Sequence, residues 1–191
     1  TLEDVVNHAK PTILIGCSTV EGAFSESIIK TMASYEKQPI ILPLSNPISH
    51  SEAKPQDLIN WTQGKALIAT GSPYDPVEFE GKTFKVAQSN NAFVFPGLGL
   101  GVIVSKAKRM TDGMLVAACH ALSECAPINK DKNAPLLPRF NDLTYVSKHI
   151  AKAVIAQAIK EGVSKLPPNN NLDQLINQST WKPEYLPYKA C

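Results

Sequence analysis

Apolar positions gather in short unbroken runs near the start of the chain and change to helical spacing further on. Thr12-Ile13-Leu14-Ile15-Gly16 is too short for a helix and ends in glycine, so it reads as a strand. From Ser25 to Tyr35, Ile28, Ile29, Met32 and Ala33 form a helical stripe. Pro39-Ile40-Ile41-Leu42-Pro43-Leu44 reads as a second strand. About Ser51 to Asn60, with Ala53, Leu58 and Ile59, predicts a short helix carrying Pro55 in its first turn. Ala66-Leu67-Ile68-Ala69-Thr70 is the third strand. Strands alternating with helices over short connections predict a parallel sheet with right-handed crossovers. The strands lack apolar–polar alternation, which predicts cover on both faces.

After Phe79 the pattern changes. Phe79-Glu80-Gly81-Lys82-Thr83-Phe84 predicts a hairpin turning on Gly81. Asn90-Asn91 precedes Ala92-Phe93-Val94-Phe95, which reads either as a turn and an apolar strand or as amides brought to a ligand. Helices are expected over about Gly97–Ala107, Asp112–Ser123 and Tyr145–Glu161. Thr111 and Asp112 are caps for the second, and Val146, Ile150, Ala153, Val154 and Gln157 form a stripe on the third. Residues 126–143 read as loop, and so does the tail from Pro167, with Trp181, Tyr185 and Tyr188 as docking anchors. The predicted class is α/β, a parallel sheet with flanking helices and a helical C-terminal portion. The expected units are 1–110 and a helical extension, 111–191, packing on it.

Composition narrows the classes. With 191 residues, 43% hydrophobic and 19% charged, the chain can bury a core and has an ordinary globular balance. The net charge of +2 argues against nucleic acid or an anionic membrane as the main partner. No apolar run approaches the roughly 18 residues of a membrane span. Thr1 is not an initiator Met and nothing after it reads as a signal peptide, so a trimmed N-terminus and a cytoplasmic setting are expected. Cys17, Cys119, Cys125 and Cys191 form no C-x-x-C pair, and the four histidines are scattered. They read as reduced packing thiols without a structural zinc, Cys17 included.

Candidate chemistry follows from topology. In an open parallel sheet, ligands bind outside the carboxyl ends of the strands. The three runs end in Gly16-Cys17-Ser18-Thr19, Ser45-Asn46-Pro47 and Thr70-Gly71-Ser72-Pro73. Each alone is a turn-maker; three in register at one edge offer backbone N–H groups, hydroxyls and a carboxamide to a ligand. Asn46, biased extended by Pro47, can donate and accept, which suits a carboxylate or a nicotinamide carboxamide. Gly97-Leu98-Gly99-Leu100-Gly101 has the wrong spacing for a dinucleotide loop and reads as a helix start whose small residues permit close packing. There is no G-x-G-x-x-G, P-loop, G-x-S-x-G elbow or H-E-x-x-H, and no acidic cluster ready for a divalent cation.

Residues 11–16, Pro43-Leu44-Ser45-Asn46-Pro47, 69–77 and 89–103, in this order and at these gaps, resemble the C-terminal part of malic enzymes. The resemblance extends to Trp181-Lys182-Pro183-Glu184-Tyr185. It implies a partial Rossmann-like sheet from a protein that oxidatively decarboxylates L-malate to pyruvate and carbon dioxide with NAD or NADP and Mg²⁺ or Mn²⁺. Asn46 and Asn91 then contact substrate and the nicotinamide end. Gly16, Cys17, Ser18, Ser45, Gly71, Ser72 and Asn90 line the cofactor cleft. The family's usual Gly-Val-Ala-Gly after the first strand is Gly-Cys-Ser-Thr here. The catalytic Tyr and Lys, the metal-binding acids, the substrate Arg and the G-x-G-x-x-G loop match no position in this chain. The chain by itself is therefore expected to be inert, with malate, NAD(P), the remainder of the parent and further copies of itself as partners. A malolactic enzyme fragment and a non-catalytic nucleotide-binding or assembly module are the alternatives.

Overall fold

The computed structural model describes residues 1–167, 170–182, 184–185 and 187–188. It separates into two compact units: 1–93 with 123–143, and 94–122 with 144–191. These bounds differ from the expected 1–110 and 111–191. The first unit ends at Phe93, and the segment 123–143 returns to it.

The first unit opens with helix α1 (Leu2–Ala9), then β1 (Ile13–Gly16), α2 (Glu26–Tyr35), β2 (Ile40–Pro43), α3 (Pro55–Trp61) and β3 (Leu67–Thr70). The hairpin β4 (Val77–Phe79) and β5 (Lys82–Phe84) follows, then the two-residue strand β6 (Ala87–Gln88). The main sheet has the order β1-β2-β3-β6 and every pairing in it is parallel. The hairpin turns on Glu80 and Gly81, both at positive φ, as a tight two-residue turn demands. Thr1 caps α1 through a capping box with Asp4. The Ser25 hydroxyl accepts from the Ile28 amide at the start of α2, and Pro55 occupies the first turn of α3.

The core of this unit joins Leu14, Ile41 and Ile68 of the sheet to Val6, Ile28, Ile29, Met32, Leu58 and Ile59 of the helices. The strands advance in one direction, so successive right-handed crossovers put their helices on one face. The expectation of two covered faces fails for this reason. Along β1, Leu14 and Gly16 are buried, whereas Ile13 and Ile15 are 49% and 58% exposed.

The second unit contains α4 (Phe95–Ser105), most of α5 (Asp112–Glu124) and α6 (Leu143–Lys160), and α7 (Leu172–Ser179). Of the two readings of residues 90–95, the apolar strand is not formed: Asn91–Phe93 is a 3₁₀ turn and α4 starts at Phe95. The Thr111 hydroxyl accepts from the Met114 amide at the start of α5. The tail is not all loop. Asn171 caps α7 by accepting from the Gln174 amide, and Ile176 enters a small core with Val104, Ala151 and Ile155. Lys152 pairs with Asp173 across α6 and α7 at 2.8 Å. Trp181, Tyr185 and Tyr188 are exposed, against the expectation that they dock. Among the described residues no helix is long and apolar enough to cross a membrane.

The three glycines of α4 divide by contact. A Cβ on Gly97 would lie 2.7 Å from the Ser147 carbonyl oxygen and from Cβ of Ile150. One on Gly101 would lie 2.7 Å from Cβ of Val154, and one on Gly99 would meet nothing within 4 Å. The G-x-G-x-G stretch is thus a packing surface for α6 along one side. Gly99→Ala should stabilise the chain by up to about 1 kcal/mol through helix propensity, and Gly101→Ala should destabilise it by about 1–3 kcal/mol through overpacking. Urea unfolding of both variants checks the ordering; equal effects would contradict it.

Candidate functional site

The loops leaving β1, β2 and β3 lie along one rim because those strands are parallel and paired in register. The ladder continues past the strands. The Leu44 amide donates to the Gly16 carbonyl at 2.9 Å, the Gly71 amide to the Pro43 carbonyl at 3.2 Å, and the Ser89 amide to the Thr70 carbonyl at 2.8 Å. Side chains then stitch each loop to the next. The Thr19 amide donates to Ser45 Oγ at 2.9 Å, Ser72 Oγ to Asn46 Oδ1 at 2.5 Å, and Gln88 Nε2 to the Gly71 carbonyl at 3.2 Å.

At the centre is Glu52, which sequence reasoning did not single out. It is 0% exposed. Its Oε1 accepts from the Ser18 amide at 2.7 Å, Ser18 Oγ at 2.9 Å and Ser45 Oγ at 2.5 Å, and its Oε2 accepts from the Ser45 amide at 3.4 Å. Burial pushes the carboxyl group up, but the hydrogen bonds from Ser45 and Ser18 outweigh it and hold the group below its ordinary value. Gly16 is required beside it: a Cβ there would fall 2.6 Å from the Glu52 carboxyl carbon and 2.7 Å from the Phe24 ring. An isolated Glu five residues past Asn-Pro carries no local signal of burial, because half of its donors belong to Ser18, 34 residues away on another loop.

The candidate residues therefore divide into two groups. Ser18 and Ser45 have hydroxyls committed to the Glu52 carboxylate, and Ser45 is buried. Ser72 is buried and spends its hydroxyl on Asn46. These serines tether loops. Gly16 and Gly71 are buried and leave room: a Cβ on Gly71 would collide with the Leu44 carbonyl oxygen and lie 3.0 Å from Asn46 Nδ2.

Cys17, Asn46, Asn90 and Asn91 are exposed. The exposed Cys17 thiol corrects the expectation of a packed cysteine; Cys119 is exposed too and Cys125 is half-buried. Asn46 is fixed through Oδ1, so Nδ2 is the atom it can offer, and Nδ2 donates to no described residue. The Asn46–Pro47 peptide bond is cis. Asn90 turns its Oδ1 back to accept from the Ala92 amide at 2.9 Å, which starts the 3₁₀ turn carrying Asn91 at the carboxyl end of β6. The rim presents the Asn46, Asn90 and Asn91 carboxamides, with the Glu52 carboxylate buried beneath them; the loops after β1 and β3 also carry the exposed carboxylates Glu21 and Asp75. Among the described residues no three His, Cys, Asp or Glu side chains converge on a metal position.

Comparison with known proteins follows the same lines. The family model described as malic enzyme, NAD binding domain, matches residues 1–159. NAD-dependent malic enzymes of Shewanella frigidimarina and Photorhabdus laumondii are 52% and 50% identical over 189 residues. Each match takes in 99% of this chain and 34% of the relative, so the chain spans about a third of the length of those relatives. The crystal structure of Entamoeba histolytica malic enzyme superposes with a TM-score of 0.74 at 25% identity, covering 94% of this chain and 33% of that one. The malic enzyme from Pyrococcus horikoshii shares the fold, with a TM-score of 0.67, over 88% of this chain and 34% of its own.

Because the folded carboxyl value of Glu52 lies below that of the unfolded chain, its contribution to stability is present above about pH 4.5 and is lost as pH falls through the folded value. Glu52→Ala strands the Ser18 and Ser45 amides and should destabilise the chain by about 3 kcal/mol at pH 7. Glu52→Gln should flatten the acid limb of the stability curve. Thermal melts between neutral and acid pH check both; an unchanged acid limb would contradict the assignment.

Proposed function

We propose a function from one premise: the chain belongs to the malic enzyme family, through the NAD-binding domain that its sequence matches. The whole protein that contains it oxidises L-malate with NAD and decarboxylates the product to pyruvate and carbon dioxide. This chain furnishes the rim against which the nicotinamide end and the dicarboxylate are oriented. NAD is preferred to NADP, in keeping with relatives named NAD-dependent at 50–52% identity.

The observation that carries the reading is a fixed amide on a rim bearing further carboxamides. Ser72 holds Asn46 Oδ1, which leaves Nδ2 to donate to a carboxylate oxygen or to the nicotinamide carbonyl. Asn91, at the carboxyl end of β6, adds a second carboxamide. Gly16 and Gly71 keep Cβ atoms out of the rim. These features fit the nicotinamide end of a dinucleotide. The cofactor, when bound, takes a hydride from the carbinol carbon; the rim orients the groups and holds them there.

A carboxamide neither takes the malate hydroxyl proton nor protonates an enol at neutral pH. The Ser18, Ser45 and Ser72 hydroxyls are engaged in tethers, and the Glu52 carboxylate is taken up by Ser18 and Ser45. The donor set does not fit Mg²⁺ or Mn²⁺, and no step through a metal is assigned to this chain. Proton transfer and cation binding therefore belong to the remainder of the parent.

The test is malate-dependent reduction of NAD, with product analysis, by the parent and by the 191-residue chain. The parent should yield pyruvate and the isolated chain no turnover. In the parent, Asn46→Ala and Asn91→Ala should each lower kcat/KM for malate by about 10²-fold or more, the scale of one orienting donor. Lactate as the product, turnover by the chain alone, or unaffected variants would each overturn the reading.

A further inference from the structure

A groove in the first unit runs from the amino end of β3 toward the rim and has a chemistry of its own. Lys65 at the start of β3, Lys82 and Lys85 at the two ends of β5, and Lys132 on the loop after α5 converge on a cavity of about 440 Å³. Its floor is apolar, with Ile59, Phe84, Val86 and Leu136. No carboxylate lines it, and none of the four ammonium groups forms an ion pair with a described residue. All four side chains reach solvent, and like charges from three separate segments lining one cavity give it a positive potential that attracts anions.

The groove continues into a second cavity of about 540 Å³, which shares Lys85, Val86 and Pro135 with the first. Tyr74 lines this part, and its hydroxyl is buried without a hydrogen-bond partner. A buried orphan hydroxyl is costly in a finished structure and marks a place where a partner is missing. Asp142, the carboxylate at this end, is neutralised by Arg139 at 3.2 Å.

We propose that this groove binds a small organic anion: a planar or apolar body on the Phe84–Leu136 floor, carrying at least two negative charges among the four lysines. Phosphate and polycarboxylate groups share that chemistry. The lysine end lies at the amino end of β3, away from the carboxyl-end rim, so the anion site does not rest on the malate reading; the Tyr74 end borders the rim at Pro73 and Gln88.

The test uses pyridoxal 5′-phosphate as a lysine-directed probe of the 191-residue chain. Its aldehyde condenses with an ε-amine and releases water; borohydride reduces the imine, and mass spectrometry maps the tagged lysine. Labelling at Lys65, Lys82, Lys85 or Lys132 should be about tenfold faster than at Lys37 and Lys54, which are equally exposed but outside the groove, and pyridoxal without phosphate should lose that preference. Lys82→Gln with Lys85→Gln should slow labelling of Lys65 and Lys132. Tyr74→Phe should leave the melting temperature unchanged or raised while weakening protection by a competitor. Protection by 1-naphthyl phosphate assigns a phosphate ligand and protection by naphthalene dicarboxylate a carboxylate one; either supports the site. Uniform labelling, or equal protection by inorganic phosphate, would show a diffuse patch of charge and overturn it.

Discussion

Removing a carboxylate from water is costly unless donors meet its oxygens, and at Glu52 the donors come from two loops that the sheet alone would leave independent. Ser18 brings the loop after β1, and Ser45 brings the loop after β2. With both loops closed on it the carboxylate keeps its charge to lower pH than it would in water, so loop closure and ionisation are linked. The neighbouring tether from Ser72 to Asn46 extends the same order to the loop after β3. What the rim shows to solvent, the Asn46 amide above all, is set largely by the buried groups Ser45, Glu52 and Ser72.

That division of labour separates the buried charge from the exposed carboxamides. The Glu52 carboxylate is spent on Ser18 and Ser45, which hold it below its ordinary value, so it is not offered to solvent. The exposed carboxamides keep their hydrogen-bonding character over a wide range of pH. The sheet that carries them is covered on one face and open at Ile13 and Ile15 on the other. A chain spanning about a third of its relatives' length is in keeping with a sheet that continues elsewhere.

The parts legible in the sequence were those governed by short-range rules. Unbroken apolar runs located β1, β2 and β3, Ser25 and Thr111 marked helix starts, and Gly81 marked the hairpin. The rim followed from parallel topology, because strand direction alone puts the three loops on one edge. Glu52 was illegible: the Ser18 partner that explains its burial is 34 residues away. Strand β6 is two residues long and exists through its pairing with β3. The open sheet face was equally hidden, since an apolar run reports what a strand can bury and not what lies against it. By contrast, α1 and α7 did carry local signals, in the Thr1–Asp4 capping box and in Asn171 ahead of Leu172, Leu175 and Ile176.

A crystal structure of the whole parent protein with NAD and an unreactive dicarboxylate bound together tests the central claim most directly. Asn46 Nδ2 and the Asn91 carboxamide should lie within hydrogen-bond reach of the dicarboxylate or the nicotinamide, with Ser18 and Ser45 still closed on Glu52. A nicotinamide seated away from the loops after β1, β2 and β3, or a Glu52 released from its serines in the ligand-bound state, would contradict it.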